Sequence, residues 1–217
     1  MTAKKIIILG AGGNSINIID AISDINFSLG HIFYDCVGIL DDDPNKWQHK
    51  IREIEILGPM SAAKNYSDCW FIYGIGSSTN YFRRKEILDK LGLQKHQFIT
   101  IIHPSASVSR MSNIGVGCVI LQNVTISNDV RLGNHVIIHP NTTINHGDDI
   151  GDFTTIAPAV CICGEVIIGE ESYLGANSTL INNISIGKRC LVGIGSVVFR
   201  SISDNTVVIG NPARKIR

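Results

Sequence analysis

Three histidines, His135, His139 and His146, fall close together in one stretch of the 217-residue chain. Imidazole is the side chain that most readily gives and takes protons near neutral pH. His146, and after it His139, is a candidate general base, and the three together are a candidate zinc set. A second group of chemistry-bearing residues lies near the start. Gly10-Ala11-Gly12-Gly13-Asn14-Ser15 stands where the apolar segment Lys5–Leu9 gives way to a helical pattern. Glycines at such a junction let backbone N–H groups approach a phosphate at a helix N-terminus. Asp41, Asp42 and Asp43 follow a second apolar segment, at the sheet edge where folds of this kind take up ligands. As a dinucleotide fingerprint the turn is incomplete. Ser15 replaces the last glycine, and the acids arrive about 30 residues after Gly10 rather than the roughly 20 expected. The better reading is a mononucleotide, with phosphates near Gly12, Gly13 and Asn14 and a base or ribose held by Asp41 or Asp42; the bland one is a tight turn.

The elements that must position these groups divide the chain near residue 100. Residues 1–100 alternate strand and helix. Lys5–Leu9, Cys36–Leu40 and Trp70–Gly76 read as strands, Asn14–Ile22 and Tyr81–Leu91 as helices, which argues a small parallel sheet. Residues 101–217 follow a different period. Every sixth residue from Ile102 to Val198, seventeen in all, is Ile, Leu or Val. Neither a helix nor a hairpin repeats in sixes. Gly115, Gly133, Gly151, Gly169 and Gly187 recur every 18 residues, so three hexapeptides make one turn of a triangular coil with these glycines stacked at one corner. Glycine suits a corner through its tolerance of positive φ. The pattern predicts a β-solenoid with the aliphatic row pointing inward, roughly 25 Å long at a strand spacing of about 4.8 Å.

Composition removes several function classes. The 19 basic and 19 acidic residues cancel, and they balance in each part, 11 against 11 in residues 1–100 and 8 against 8 beyond. Nucleic acid and anionic membrane are therefore poor partners. No apolar run approaches the roughly 20 residues of a spanning helix. Lys4-Lys5 before Ile6–Leu9 imitates a signal peptide, but the apolar stretch is short and runs into glycines. A cytoplasmic protein is expected, its six cysteines core thiols rather than a disulfide set, with Cys161-Ile-Cys163 packing rather than binding zinc.

The unbroken hexapeptides resemble the left-handed β-helix acyltransferases, and Gly210-Asn211-Pro212-Ala213-Arg214 resembles the tail that closes many of them. Ile8-Leu9-Gly10-Ala11-Gly12-Gly13, Gly38-Ile39-Leu40-Asp41-Asp42-Asp43 and Gly74-Ile75-Gly76 are similar to one branch. That branch comprises the bacillosamine-type N-acetyltransferases of nucleotide-linked 4-amino sugars and the sialic acid O-acetyltransferases. The resemblance implies an α/β, Rossmann-like nucleotide-sugar domain over 1–100 and a left-handed parallel β-helix with a C-terminal tail over 101–217. It implies acetyl transfer from acetyl-CoA as co-substrate, for surface glycan synthesis, in a homotrimer, with no metal.

The resemblance also implies site residues. His146, in Asn141-Thr142-Thr143-Ile144-Asn145-His146-Gly147-Asp148, stands at the place of the family's histidine base. The hexapeptide register agrees: His146 lies two residues past the inward Ile144, hence outward at a corner. Gly164, 18 residues on, stacks at the same corner and offers an N–H to a thioester oxygen. The turn Gly12-Gly13-Asn14, with Asp41, Asp42 and Gly76, would hold the nucleotide sugar. Acetyl-CoA would run between two prisms, touching Thr155, Gly164, Ala176, Gly193, Ile194 and Arg214. The family usually has an acid directly after the histidine; here Gly147 stands there, and Asp148 is the candidate replacement, although its register points inward. His139 is the reserve base. Two other classes predict different things. A carbonic-anhydrase-like enzyme would bind zinc through His135, His139 and His146, and a non-catalytic binding module would leave His146 and the glycine turn idle.

Overall fold

Ile6, Ile7, Ile8 and Leu9 offer no polar side, and such a strand must be covered on both faces. In the computed structural model, which describes residues 2–217, all four are fully buried. They lie in β1 (Lys4–Leu9), followed by α1 (Gly13–Leu29), β2 (Tyr34–Leu40), β3 (Lys50–Ile51), β4 (Ile54–Gly58), β5 (Trp70–Tyr73) and α2 (Arg84–Asp89). The sheet order is β3-β4-β2-β1-β5, parallel except for the β3–β4 pair. Ile18, Ala21, Ile22 and Ile25 turn one side of α1 onto the sheet. The helix runs past the expected Ile22 and stops at Gly30, whose φ of 70° ends it with a left-handed residue. The sheet holds β3 and β4 beyond the three expected strands, and the last helix is shorter than the expected Tyr81–Leu91. Tyr81–Arg83 is a single 3-10 turn and α2 ends at Asp89.

From Ile101 onward the chain winds into a triangular prism of two-residue strands. The first face carries Ile101–Ile102, Val119–Ile120, Ile137–Ile138, Thr155–Ile156, Tyr173–Leu174 and Leu191–Val192, then Val207–Ile209 and the antiparallel Arg214–Lys215. The second face runs from Ser107–Val108 through Thr143–Ile144 and Cys161–Ile162 to Val197–Val198, and the third from Asn113–Ile114 to Ser185–Ile186. Strands 18 residues apart pair in parallel, as with Thr143↔Cys161 and Ile144↔Ile162. The inward row forms one continuous aliphatic core from Val108 to Val198. Ile102 is the exception, 38% exposed, because no coil lies beneath it.

The corner chemistry differs from the expectation. Left-handed residues do recur, but at every sixth position from Gly117 through Asn123, Asp129, His135, Asn141 and Gly147 to Gly195, and most are not glycine. The Gly115–Gly187 column has ordinary φ. Its glycines are required by close approach: a Cβ on Gly151 would lie 2.5 Å from the Glu170 nitrogen, and one on Gly169 2.6 Å from that of Lys188. Missing side-chain volume, rather than backbone freedom, lets successive coils stack at that corner.

Arg84 joins the two units. Its side chain is fully buried and donates to five oxygens: Ile75 O at 2.6 Å, Phe153 O at 2.5 Å, Thr154 O at 3.3 Å, Thr155 Oγ1 at 3.2 Å and His135 O at 2.8 Å. A guanidinium can be buried without a carboxylate when carbonyls satisfy its donors. Burial brings it down to about 10, still protonated at neutral pH. Beside it His135 stacks on Phe153, with ring centroids 4.9 Å apart, and meets Phe98 edge-on. Ile101, Val119, Leu121 and Ile137 share a core with α1 and the sheet.

This burial makes the fold acid-sensitive. Burial, aided by the Arg84 charge, holds both the His135 and His139 imidazoles down at about 4. Between that value and the ordinary ~6.5, the unfolded chain binds protons that the folded chain refuses, so their contribution is complete above ~6.5 and lost as pH falls towards 4. For His135 the shift corresponds to about 3 kcal/mol. Asp148, pushed up to about 7 by burial, works in the opposite direction, but one carboxylate is outweighed by two imidazoles. His135→Asn should lower stability overall, yet flatten its rise between pH 4 and 6.5. Urea midpoints across that range check this, and an unchanged slope would contradict it.

Candidate active site

The corner between the second and third faces holds His146 and Gly164, the candidate reacting groups. Ile144 points into the prism, Asn145 turns the chain, and its side chain donates to Ile162 O at 2.6 Å. His146 then projects outward, its side chain 62% exposed. Gly164 lies one coil along at the same corner, as the 18-residue spacing predicts. A Cβ there would be 2.5 Å from His146 Cε1 and 2.7 Å from Nε2, so the imidazole fills the space that a side chain at 164 would take. Among the described residues the Gly164 N–H donates no hydrogen bond.

Asp148 is not a free acid at this corner. It is 1% exposed, and its carboxylate accepts from Asn145 N at 3.0 Å and Val166 N at 2.8 Å. It binds one coil to the next. The carboxylate that meets His146 is one the sequence reading missed: Glu165 Oε1 lies 3.8 Å from Nδ1. Its signal was available as the column position 18 residues beyond Gly147.

The other histidines do not assemble with it. His135 belongs to the core between the units. His139 follows Ile138 at the corner between the first and second faces, half-buried and held neutral by burial. Among the described residues no three His, Cys, Asp or Glu side chains gather as a metal site.

The glycine turn lies on the α/β unit. Gly10, with φ 101°, leaves β1 so tightly that a Cβ would sit 2.6 Å from Ile75 Cγ1. Gly12, Gly13, Asn14, Asp41, Lys46, Gly76 and Ser77 line a cleft of about 390 Å³. Gly12 and Gly13 are exposed with open space before them, as a phosphate would need. Asn14 is already engaged: its amide donates to Gly74 O at 2.9 Å and Gly76 O at 3.0 Å. Asp41 shapes the turn. It accepts from Ala11 N at 2.6 Å and Asp43 N at 2.9 Å, and these bonds with Lys46 hold its carboxyl below the usual range despite burial. Asp42 is a correction, since it turns away to accept from Met60 N at 2.8 Å. Lys46 Nζ, 3.2 Å from Asp41, is the cation of this cleft, and sequence reasoning did not single it out.

The residues expected along acetyl-CoA separate. Ala176 and the 75%-exposed Ile194 stack at the corner of His139, one side of the triangle away from His146. Thr155 is a correction: it is fully buried and accepts from Arg84 beneath the α/β unit. Gly193 is also covered, with Ile209 Cγ1 2.9 Å from where its Cβ would be. Arg214 lies in the last strand and, with Lys215, Phe199 and Arg200, lines a cleft of about 460 Å³ at the prism's end.

Known proteins share this arrangement. Residues 5–91 match the family described as the PglD N-terminal domain. A UDP-N-acetylbacillosamine N-acetyltransferase of Bacillus subtilis is 44% identical over 54 residues, which is 25% of this chain and 24% of that protein. The acetyltransferase domain of PglB from Neisseria gonorrhoeae superposes with a TM-score of 0.86 at 25% identity, covering 98% of this chain and all of that one. The same domain is known in complex with acetyl coenzyme A. PerB of Caulobacter crescentus, in complex with CoA and GDP-perosamine, matches over the whole chain and 99% of its own with a TM-score of 0.84 at 24% identity. Residues 5–91 thus match a PglD-type N-terminal domain, and the α/β unit, the prism and their order along the sequence are those of the acetyltransferase domain of PglB.

Proposed function

We propose that the chain transfers the acetyl group of acetyl-CoA to the amine of a nucleotide-linked 4-amino sugar, most simply a UDP-linked one, with His146 as general base. The observation that carries this reading is the stack of His146 on Gly164: an outward imidazole and an uncommitted N–H at one corner. The amine must be neutral to attack. His146 takes its proton as the new C–N bond forms, directly or through water, and the Gly164 N–H donates to the thioester oxygen as negative charge develops there. Collapse of that adduct breaks the C–S bond, and the sulfur leaves as the thiolate of CoA. One proton transfer and correct orientation suffice for direct transfer.

The separation of the residues expected to hold acetyl-CoA favours a site between subunits. A ligand lying along the edge of His146 reaches Ala176 and Ile194 only when a second prism presents its other corner. Ile181 and Ile194 leave exposed apolar surface at these two corners, which suits such packing. Three prisms around one axis would make three equivalent clefts with closed symmetry. Arg214 and Lys215 at the prism's end would meet the anionic end of CoA.

The glycine turn would take the nucleotide. Gly12 and Gly13 supply N–H groups and Lys46 a positive charge. Lys46→Met should raise the nucleotide-sugar KM about tenfold, the scale of one charged hydrogen bond, and leave the acetyl-CoA KM unchanged. Equal effects on both would count against the assignment. The proposal as a whole is tested by release of free thiol from acetyl-CoA with UDP-, dTDP- and GDP-linked 4-amino sugars. Turnover only with hydroxyl acceptors would make the chain an O-acetyltransferase, and an active monomer by light scattering would remove the intersubunit cleft.

A further inference from the structure

We infer that Glu165 is the carboxylate that orients His146, lying in the room that glycine at 147 leaves open. The inference rests on His146 being the base. The observations are geometric. Glu165 Oε1 lies 3.8 Å from His146 Nδ1 and reaches it from the next coil, so Nε2 remains free to face a substrate. At that distance the contact is an ion-pair approach rather than a hydrogen bond, and the carboxylate draws Nδ1 towards itself once the imidazole has gained a proton. Residues 147 and 165 belong to one column of left-handed corner residues, with φ of 72° and 62°, so their side chains leave the backbone alike, one coil apart. A Cβ on Gly147 would fall 2.6 Å from Glu165 Oε1 and 2.7 Å from Cδ. The carboxylate therefore lies back over Gly147 towards His146, and a side chain at 147 would make it shift.

The other acids around this corner are committed. Both oxygens of Asp148 accept backbone N–H groups. Asp149 pairs with Arg131, and Asp129 accepts from the Asn128 amide at 2.7 Å. Glu165, by contrast, is 61% exposed at its side chain and engages His146. Its own N–H donates to His146 O at 3.0 Å, which fixes the two residues to each other through the backbone as well. Glu165 touches no reacting atom in this arrangement. It is a positioning residue acting through His146.

The test compares four forms of the full-length protein in the acetyl-transfer assay: the natural chain, Glu165→Gln, Glu165→Gly, and Glu165→Gly combined with Gly147→Glu. Glu165→Gln should lower kcat about tenfold or more with both KM values unchanged, because only the base is affected. The double variant returns a carboxylate to the same column from the neighbouring coil, and it should recover most of the kcat lost in Glu165→Gly. A structural role would not produce that recovery. Unchanged kcat in Glu165→Gln, or a double variant no better than Glu165→Gly while folded by circular dichroism, would overturn the inference. If His146→Ala is itself fully active, the reading of the base fails first, and the two failures are thereby told apart.

Discussion

His146→Ala is expected to lower kcat by about 10²–10⁴, the usual worth of a general base, with folding and assembly intact. The imidazole is largely exposed, so its removal leaves no cavity in the prism, and surface changes of this kind usually stay within about 0.5 kcal/mol of stability. Both KM values should hold, because the ring meets the substrate most strongly while the proton moves. The measurement is steady-state kinetics beside a thermal melt. A loss smaller than tenfold would place the base elsewhere, with His139 at the neighbouring corner next in line.

Gly164→Ala is the second large effect. The added methyl would fall 2.5 Å from Cε1 and 2.7 Å from Nε2 of His146, well inside van der Waals contact, so the ring must swing away. Gly164 has no left-handed φ, and alanine adopts its backbone without strain. The Gly164 N–H also survives the change. Any loss then reports the position of the base rather than the oxyanion donor, and about 10²-fold in kcat is expected from a displacement near 1 Å. Activity within threefold of the natural chain would mean that the stack of ring on glycine does not set catalysis.

Much of the prism was legible because a sixfold period admits few folds, and the column arithmetic that joined His146 to Gly164 needed only the number 18. What escaped were groups whose purpose depends on a neighbour in space. Arg84 looks like one more charge on an amphipathic helix, and nothing local shows that five carbonyl and hydroxyl oxygens await it between the units. Asp41 was read as a ligand contact because acids after a second strand often are; here the carboxylate is consumed by Ala11, Asp43 and Lys46. Asp42 was indistinguishable from it in sequence, and only the backbone of Met60 explains its direction. The Gly115 column was correctly seen to stack but for the wrong reason, since φ and crowding are invisible until neighbouring coils are in place. Glu165 is hidden in the sequence because it stands above His146 in the next coil and not beside it along the chain.

The repeated corner conformation gives the prism a property of a ruled lattice. Any outward side chain has an address made of a column and a coil, and a step of one coil shifts it by about 4.8 Å along the axis without changing its direction. Functional groups can thus migrate between rungs with the backbone unaltered, as the exchange of a carboxylate between residues 147 and 165 would require. Length is equally modular. An extra 18-residue rung inserted beyond Gly164 would lengthen that corner while His146 and Gly164 kept their spacing, so the length of the prism can change apart from the groups it carries.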